Sequence, residues 1–301
     1  MKRHKICKII LVILAVFLCV AFYELIGICI TYKKQPAVSD ATIKETQNIM
    51  SVAGRENTER AVIIEKNSQA LLERVRLIQN AKDEIILSTF AFKSDESGKL
   101  ILGALHDAAD RGVHVRILVD GMESWIDMEG NPYFYGLSSH ENVEIKLYNK
   151  ANPLKPWKTM GRMHDKYLIA DGKIYILGGR NTYNYFLGAF PGHKNFDRDV
   201  LVVCDEPQKD NSVNQLWNYF ETIWEQEDCR YFHNSKKLAD RQSVKKAVLE
   251  LQEGYQQYFE VNKEKICDTD YADETFETEK ITLLSNPIHT QAKEPVVWYQ
   301  L

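Results

Sequence analysis

An apolar stretch from Ile9 to Ile30 constrains this chain more than any other feature, because 22 residues of helix are long enough to cross a bilayer. Glu24 is the one acidic residue in the stretch. At the centre of a membrane helix it would cost about 2.5–3.5 kcal/mol, by analogy with Asp. The fifteen Leu, Ile, Val and Phe residues contribute roughly −4.5 to −9 kcal/mol together. Insertion is therefore favoured, and Glu24 lies off-centre, where its cost is smaller.

A cleaved signal peptide is the alternative interpretation of this stretch. Its apolar part exceeds the roughly 7–15 residues of a signal peptide, and no small-x-small cleavage site follows. Cys29 follows Ile28 rather than a small residue, so a lipoprotein cleavage site also fits poorly. We therefore predict one uncleaved anchor. Four basic residues precede the anchor and only Lys33 and Lys34 follow it. Residues 1–34 are therefore predicted as a basic tip in the cytoplasm followed by the anchor in the cell membrane, and the remaining domain is predicted outside the cytoplasm.

The rest of the chain is acidic. Residues 35–301 contain 32 basic and 41 acidic residues, a net charge of −9, whereas proteins that mainly bind DNA are usually basic. Nucleic acid is therefore not the expected partner. The 45% of apolar and 27% of charged residues are ordinary for a folded domain. The six cysteines form no CxxC pair and no metal-binding spacing with histidine. Cys204 is predicted in the core, and a Cys229–Cys267 disulfide is left open.

Hydrophobic periodicity predicts an α/β domain. A helix begins after Asn67-Ser68, and strand, helix and strand follow at Glu84–Ala91, Gly98–Arg111 and Val113–Val119. Such a βαβ unit indicates a mixed or parallel sheet covered by helices. Later elements are predicted as strands at 143–147, 167–170, 174–177 and 200–203, a helix at 211–227 whose aromatic stripe belongs to the core, and a charged helix at 235–265.

The predicted domain boundaries follow from the same pattern. Residues 35–66 are polar and are predicted as a tether, and residues 67–280 as the folded domain. Within it, the acidic stretch 268–280 is predicted as a solvated loop. Residues 281–301 are predicted to begin a second half, with a strand from Ile281 and a helix from Lys293.

The stretch from Arg162 to Asn181 has the pattern HxKxxxxDxxxxxxGGxN. His164 and Lys166 alternate along an extended segment and therefore share one face. The Gly178-Gly179 pair allows close approach of a ligand and positive φ angles. With the amide of Asn181 nearby, these groups predict an oxyanion or phosphate pocket.

The surrounding sequence is locally basic. Residues 145–200 contain ten Lys or Arg and four Asp, a net charge of +6. A positive basin suits an anionic substrate or head group. The alternative is that Lys146, Lys150, Lys155 and Lys158 form only a solvated basic face.

The pattern resembles the HKD signature of the phospholipase D superfamily, matched at every signature position. Residues 67–92, 98–121 and 196–203 also resemble a cardiolipin-synthase-like half of that family. The resemblance implies a phospholipase-D-like mixed sheet flanked by helices, preceded by one N-terminal transmembrane helix. It also implies a membrane phospholipid substrate with an anionic head group.

The resemblance implies a role for each position. His164 would be either the nucleophile that forms a phosphohistidine or the acid that protonates the leaving oxygen. Lys166 and Asn181, beside Gly178 and Gly179, would hold the non-bridging phosphate oxygens. No metal or other cofactor is then required, because lysine and asparagine supply the charge stabilisation.

Three carboxylates remain to be assigned by the same resemblance. Asp171, counted with the catalytic residues of the signature, would be a structural carboxylate that ties the turn. Asp197 would orient the histidine ring, which fixes its tautomer. Asp199 is the neighbouring alternative for that role.

The family reaction uses two such motifs, and this sequence contains one HxK. Either a homodimer supplies the second motif or this chain is the first half of a longer protein, and the second interpretation is favoured. The predicted function is phosphatidyl transfer between phosphatidylglycerols, as in cardiolipin synthases. The alternatives are a dimeric phosphodiesterase or endonuclease of the same superfamily, and an inactive membrane-tethered binding module.

Overall fold

The computed structural model describes residues 2–33, 40, 43–44, 59–150, 152–158, 161–206 and 211–285. The chain divides into two compact units. The first comprises residues 1–51, 151–162 and 285–301, and the second comprises residues 52–150 and 163–284.

The second unit is built on one mixed sheet, which in the described residues has the order β8-β4-β3-β2-β5-β6-β7-β1-β9. Strands β2, β3 and β4 are parallel, and the remaining neighbours are antiparallel. The strands are β1 Glu59–Ile64, β2 Glu84–Thr89, β3 His114–Asp120, β4 Val143–Tyr148, β5 Tyr167–Ala170, β6 Ile174–Gly178, β7 Asp199–Cys204, β8 Cys229–Tyr231 and β9 Phe276–Glu277.

Helices flank this sheet, which confirms the predicted α/β class. In the first unit α1 is Lys2–Lys33. In the second unit the helices are α2 Asn67–Asn80, α3 Glu96–Asp110, α4 Gly121–Asp127, α5 Pro132–Ser138, α6 Ser212–Trp224 and α7 Gln242–Cys267. The predicted aromatic stripe of α6 lies in the core, with Phe220 and Trp224 buried.

The β2–α3–β3 unit forms because its sequence signals agree with one another. Asp95 caps α3 by accepting a hydrogen bond from the Gly98 amide, which satisfies a donor at the helix start. Strands β2 and β3 then pair in parallel, and α3 packs on α7 at Gly103, where a Cβ would lie 2.6 Å from the Leu251 carbonyl oxygen. This crossover places the carboxyl ends of β2 and β3 at the same edge of the sheet.

Several predicted boundaries were wrong. Residues 59–64 were predicted as tether, but they form β1, because their backbone pairs antiparallel with β7 along the whole strand. The acidic stretch 268–280 is not simply solvated: Tyr271 is buried, and the Arg76 guanidinium lies 4.0 Å from its ring centroid. Residues 281–285 form no strand, and residues 286–301 lie outside the described part of the chain.

In the first unit, α1 contains a 25-residue stretch, Lys5–Cys29, with a mean hydropathy of 2.9. Among the described residues, this is the one helix long and apolar enough to cross a membrane. Its apolar side chains are exposed, as at Ile13 and Phe17. The predicted transmembrane helix is thus present by length and composition.

Candidate active site

His164 and Lys166 lie just before β5, beside the end of β2. The Phe90 ring, one residue beyond β2, meets the His164 imidazole edge-on at 4.6 Å between centroids. The Lys166 ammonium nitrogen lies 5.5 Å from the centre of the same ring. The two side chains therefore share a face, and we call them the histidine–lysine pair. Phe90 was missed in the sequence, where it reads as one more apolar strand residue.

Lys166 is held in a dry environment, with 5% of its surface exposed. Its ammonium donates a hydrogen bond to the His164 carbonyl oxygen at 2.5 Å. Burial lowers the pKa of Lys166 to about 8, against the opposing effect of the Asp165 and Asp197 carboxylates. A buried ammonium interacts strongly with any anion that reaches it, because the local dielectric is low.

Asp165 is anchored separately from the histidine–lysine pair. The Tyr219 hydroxyl, from α6, donates to Asp165 Oδ2 at 2.8 Å. Burial raises the pKa of the Asp165 carboxyl, and this hydrogen bond partly offsets the rise. Tyr219 therefore ties the segment that carries the pair to α6.

Asp120, the last residue of β3, fixes the backbone that leads into His164. Its Oδ2 accepts from the Met163 amide at 3.2 Å, and its Oδ1 accepts from the Met122 and Glu123 amides at the start of α4. The carboxylate is almost fully buried. Sequence reasoning missed this role, although an Asp-Gly at a strand end was the available signal.

The chain just beyond β2 also positions the Asn181 side chain. Its Oδ1 accepts from the Ala91 amide at 3.1 Å, which identifies the other terminal atom of the side chain as the NH₂ donor. The next residue, Thr182, forms a bridge with Phe92. Asn181 is therefore held one residue from Phe90, with an oriented donor of the kind that binds phosphate oxygens.

The glycine pair acts through close packing rather than through unusual backbone angles. Neither glycine has a positive φ, so that part of the prediction was wrong. A Cβ on Gly179 would lie 2.0 Å from Asp197 Oδ2, and one on Gly178 would lie 2.4 Å from the Arg198 carbonyl oxygen. Glycine is needed here because the segment before β7 passes directly over the end of β6.

The geometry separates Asp197 from Asp199. The Asp199 side chain is completely buried and pairs with Arg74 at 2.9 Å and Arg180 at 3.2 Å. It therefore belongs to the framework. Asp197 is partly exposed, lies against Gly179 and acts electrostatically on Lys166. Of the two carboxylates, Asp197 is the one at the pocket.

Asp171 lies at the opposite end of β5, about 16 Å along the strand from Lys166. Its carboxylate accepts from the amides of Lys82, Asp83 and Glu84 at 2.8–2.9 Å. It thus ties the β5–β6 turn to the start of β2. These contacts are those of a structural carboxylate, and they lie at the far edge of the sheet from the histidine–lysine pair.

The predicted basic basin is smaller than its sequence suggests. Lys146 is buried, donates to the Trp224 carbonyl oxygen at 2.9 Å and lies 4.5 Å from the Trp224 ring centroid. It is neither a solvated residue nor a phosphate ligand. Arg180 is also buried, with its guanidinium bound to Asp199 and to the Ile64 carbonyl oxygen. Lys150 and Lys155 are exposed, one in each unit.

Within the described residues, the structure shows neither a disulfide nor a metal-binding cluster. Cys229 and Cys267 are both free thiols, the first buried and the second exposed, so the disulfide considered from sequence does not form. No group of three or more His, Cys, Asp or Glu side chains within the described ranges is arranged to hold a metal ion.

Residues 75–224 match the family model described as the cardiolipin synthase, PLD-like domain. This domain belongs to the phospholipase D superfamily. The match covers the histidine–lysine pair, both glycines, Asn181 and Asp197.

Individual relatives match over part of their length. An uncharacterized protein of Helicobacter pylori is 30% identical over 179 residues, which is 56% of this chain and 35% of that protein. Cardiolipin synthase C of Escherichia coli is 30% identical over 154 residues, 46% of this chain and 31% of that enzyme. The matched region thus spans about a third of these relatives. The solved structure of NucT from Helicobacter pylori has a TM-score of 0.45 at 18% identity, covering 58% of this chain and 99% of that one.

Proposed function

We propose that this phospholipase-D-like domain transfers a phosphatidyl group through a phosphohistidine on His164. The observation that carries the proposal is the convergence of an exposed imidazole and a buried ammonium on one ring, Phe90, with the oriented amide of Asn181 one residue away. A nucleophile beside two fixed donors is what attack on a phosphodiester needs, since negative charge develops on the non-bridging oxygens.

The steps follow from these groups. An imidazole nitrogen of His164 attacks phosphorus, the bond to the leaving alkoxide breaks, and a general acid gives that oxygen a proton. The deprotonated general acid then takes the proton of an acceptor hydroxyl, whose oxygen attacks phosphorus while the phosphorus–nitrogen bond to His164 breaks. Lys166 and Asn181 hold the non-bridging oxygens in both steps, and Asp197 orients the imidazole. The reverse assignment, with His164 as the general acid, uses the same pocket.

The preferred substrate is phosphatidylglycerol, as donor and as acceptor, which yields cardiolipin and glycerol. Three findings support this choice: the description of the matching family model, the name of the Escherichia coli relative, and the apolar helix α1. The net charge of −9 over residues 35–301 weighs against nucleic acid, whose binding requires several phosphates to be neutralised.

A second HxK-bearing half completes the site in this proposal. It comes either from further sequence in a longer protein or from a second copy of this chain. We propose that α1 anchors the domain in the cell membrane as a single span, with the N-terminus in the cytoplasm and the domain outside.

The test of substrate is a lipid analysis after expression of the assembled two-motif enzyme in cells that lack their own cardiolipin synthases. New cardiolipin is expected, and the His164→Ala enzyme should produce none. Phosphatidic acid in its place would indicate hydrolysis. Unchanged lipids together with metal-independent plasmid nicking would indicate a nuclease, and neither activity would indicate a binding module.

The test of mechanism is trapping of the phosphoenzyme with labelled phosphatidylglycerol, followed by peptide mapping. Acid-labile label on the His164 peptide supports the nucleophile role. Label on a histidine of the second half assigns His164 to acid catalysis, and label on no histidine contradicts the phosphohistidine.

A further inference from the structure

A short segment of the first unit, residues 152–158, packs against the C-terminal part of α1. The Tyr23 hydroxyl donates to the Leu154 carbonyl oxygen at 3.0 Å. A Cβ on Gly27 would lie 2.4 Å from Pro156 Cγ, so the absence of a side chain at Gly27 is what allows this approach. Gly27 is buried, although the adjacent Ile26 is exposed.

The covered face of α1 is also the face that carries Glu24. Residues at i, i+3 and i+4 of a helix are neighbours on one face, which here groups Glu24, Gly27 and Ile28. Each of the three is buried or partly buried, whereas the apolar residues earlier in α1 are exposed. Glu24 Oε1 is itself buried and has no hydrogen-bond partner among the residues that the structure describes. A carboxylate that is costly in lipid therefore lies on the protein-covered face.

The segment also exposes apolar and basic side chains. Leu154 is 78% exposed and Trp157 is 40% exposed, and Lys155 between them is exposed as well. Tryptophan prefers the boundary between head groups and acyl chains, and lysine is attracted to anionic lipid. A lipid surface against the segment would cover both exposed apolar side chains and would attract the lysine between them.

The level of the segment along α1 agrees with such a boundary. The stretch Lys5–Cys29 is 25 residues long, or about 37 Å of helix, which exceeds the roughly 30 Å hydrocarbon core. Tyr23 and Gly27 lie in the last turns of that stretch. Residues bound to them lie where the hydrocarbon core ends.

We propose that residues 152–158 are a membrane-interface segment, which packs on α1 and places Leu154 and Trp157 at the head-group boundary of an anionic bilayer. The proposal rests on α1 spanning the membrane, which is part of the proposed function. In the sequence, His164 follows Leu154 by ten residues.

Spin-label depth measurements on the full chain test this proposal without any assay of turnover. The four exposed cysteines are first changed to alanine, which leaves the buried Cys204 and Cys229. Single cysteines are then introduced as Leu154→Cys, Val16→Cys and Leu249→Cys. The labelled protein is reconstituted in vesicles of phosphatidylglycerol and phosphatidylcholine. Val16 reports on α1, and Leu249, exposed on α7, is the matched control on the domain.

We expect the label at 154 to be accessible to oxygen and shielded from a water-soluble nickel relaxant, and the label at 249 to show the reverse. Gly27→Leu should move the label at 154 into water, because its side chain collides with Pro156. Ala15→Leu, which creates the same side chain at an exposed helix position, should leave it in place. Suppose that the label at 154 is as accessible to water as the label at 249, while the label at 16 remains in lipid. That result would contradict the membrane-interface segment, and the proposal that α1 spans the membrane would stand.

Discussion

Lys166 sets a pH limit on the proposed reaction. Its pKa near 8 means that the ammonium, and with it the stabilisation of the phosphate oxygens, is lost as the pH rises through that value. In the assembled enzyme we therefore expect kcat/KM to fall above about pH 8. The fall in kcat should come at higher pH, because bound phosphate favours the charged lysine. Initial rates measured from pH 6 to 10 give the alkaline fall of kcat/KM and of kcat.

Substitutions at Lys166 test whether this lysine causes the fall in kcat/KM above about pH 8. Lys166→Ala should lower kcat/KM by about 10²–10³ at pH 7 and remove this fall, since one preorganised donor is lost. Lys166→Arg keeps a charge throughout the range, so its residual activity should show no fall near pH 8. A fall that persists unchanged in Lys166→Arg would assign the titration to another group.

The same lysine links folding to pH. The unfolded chain keeps this proton up to a pKa near 10.5, whereas the folded chain loses it near 8. Because the unfolded state binds more protons between these values, Lys166 contributes a rise in stability as pH increases from 8 to 10.5. Urea unfolding of the wild type and of Lys166→Met at both pH values measures the difference, which should shrink in the variant.

Asp171 is expected to affect stability rather than chemistry. Asp171→Ala leaves three backbone amides without their acceptor and should lower the free energy of unfolding by about 1–3 kcal/mol. Asp171→Asn should cost less, because asparagine keeps one acceptor and tolerates the positive φ of 52°. Asp83→Ala, an exposed neighbour, is the control and should change stability by less than about 0.5 kcal/mol. Equal losses in all three variants would contradict the assigned role.

Residue types at the site were largely predictable, because the motif spacing brings His164, Lys166 and Asn181 to one sheet edge. The choice between Asp197 and Asp199 was not. Both follow the same alternation, and only the buried arginine partners of Asp199 distinguish them. The burial of Lys146 was not predictable for a similar reason. A lysine in a basic stretch of sequence does not indicate that the distant Trp224 will cover it.

At the scale of elements, the contact between β6 and β7 depends on Gly178. A Cβ there would meet Asp199 Oδ1 at 2.1 Å and the Arg198 carbonyl oxygen at 2.4 Å, so Gly178→Ala must push the two strands apart. We expect a loss of about 1–3 kcal/mol in the free energy of unfolding. Gly254→Ala, in α7 with nothing within 4 Å, should instead gain about 1 kcal/mol. Urea unfolding of both variants checks the opposite signs.

Elements with strong periodicity were predicted within a few residues, as with α3 and β5. The missed ones are short or depend on distant partners. Strand β1 contains few alternating residues and is defined by its ladder with β7, and β9 has only two residues, paired with β1. Helix α4 follows directly from β3, and the Asp120 side chain caps its start. In the sequence, an Asp-Gly pair after a strand is equally typical of an ordinary turn.

For the whole molecule, the proposed need for a second half predicts a concentration effect. The 301-residue chain alone should turn over about 10²–10⁴-fold more slowly than the assembled enzyme, because it lacks the general acid. If two copies complete the site, activity per chain should rise with protein density in the vesicle. If a longer protein carries the second half, only that half, added in trans, should restore the rate. Full activity at high dilution would contradict both arrangements.

The two ends of the sheet limit how another half can join it. Within the described residues, the outer strands are β8 with three residues and β9 with two, so each presents only a few open backbone donors and acceptors. Short edges of this kind resist growth by strand addition. A companion half of the kind proposed is therefore expected to be recognised mainly by side chains, on surfaces away from these two short strands.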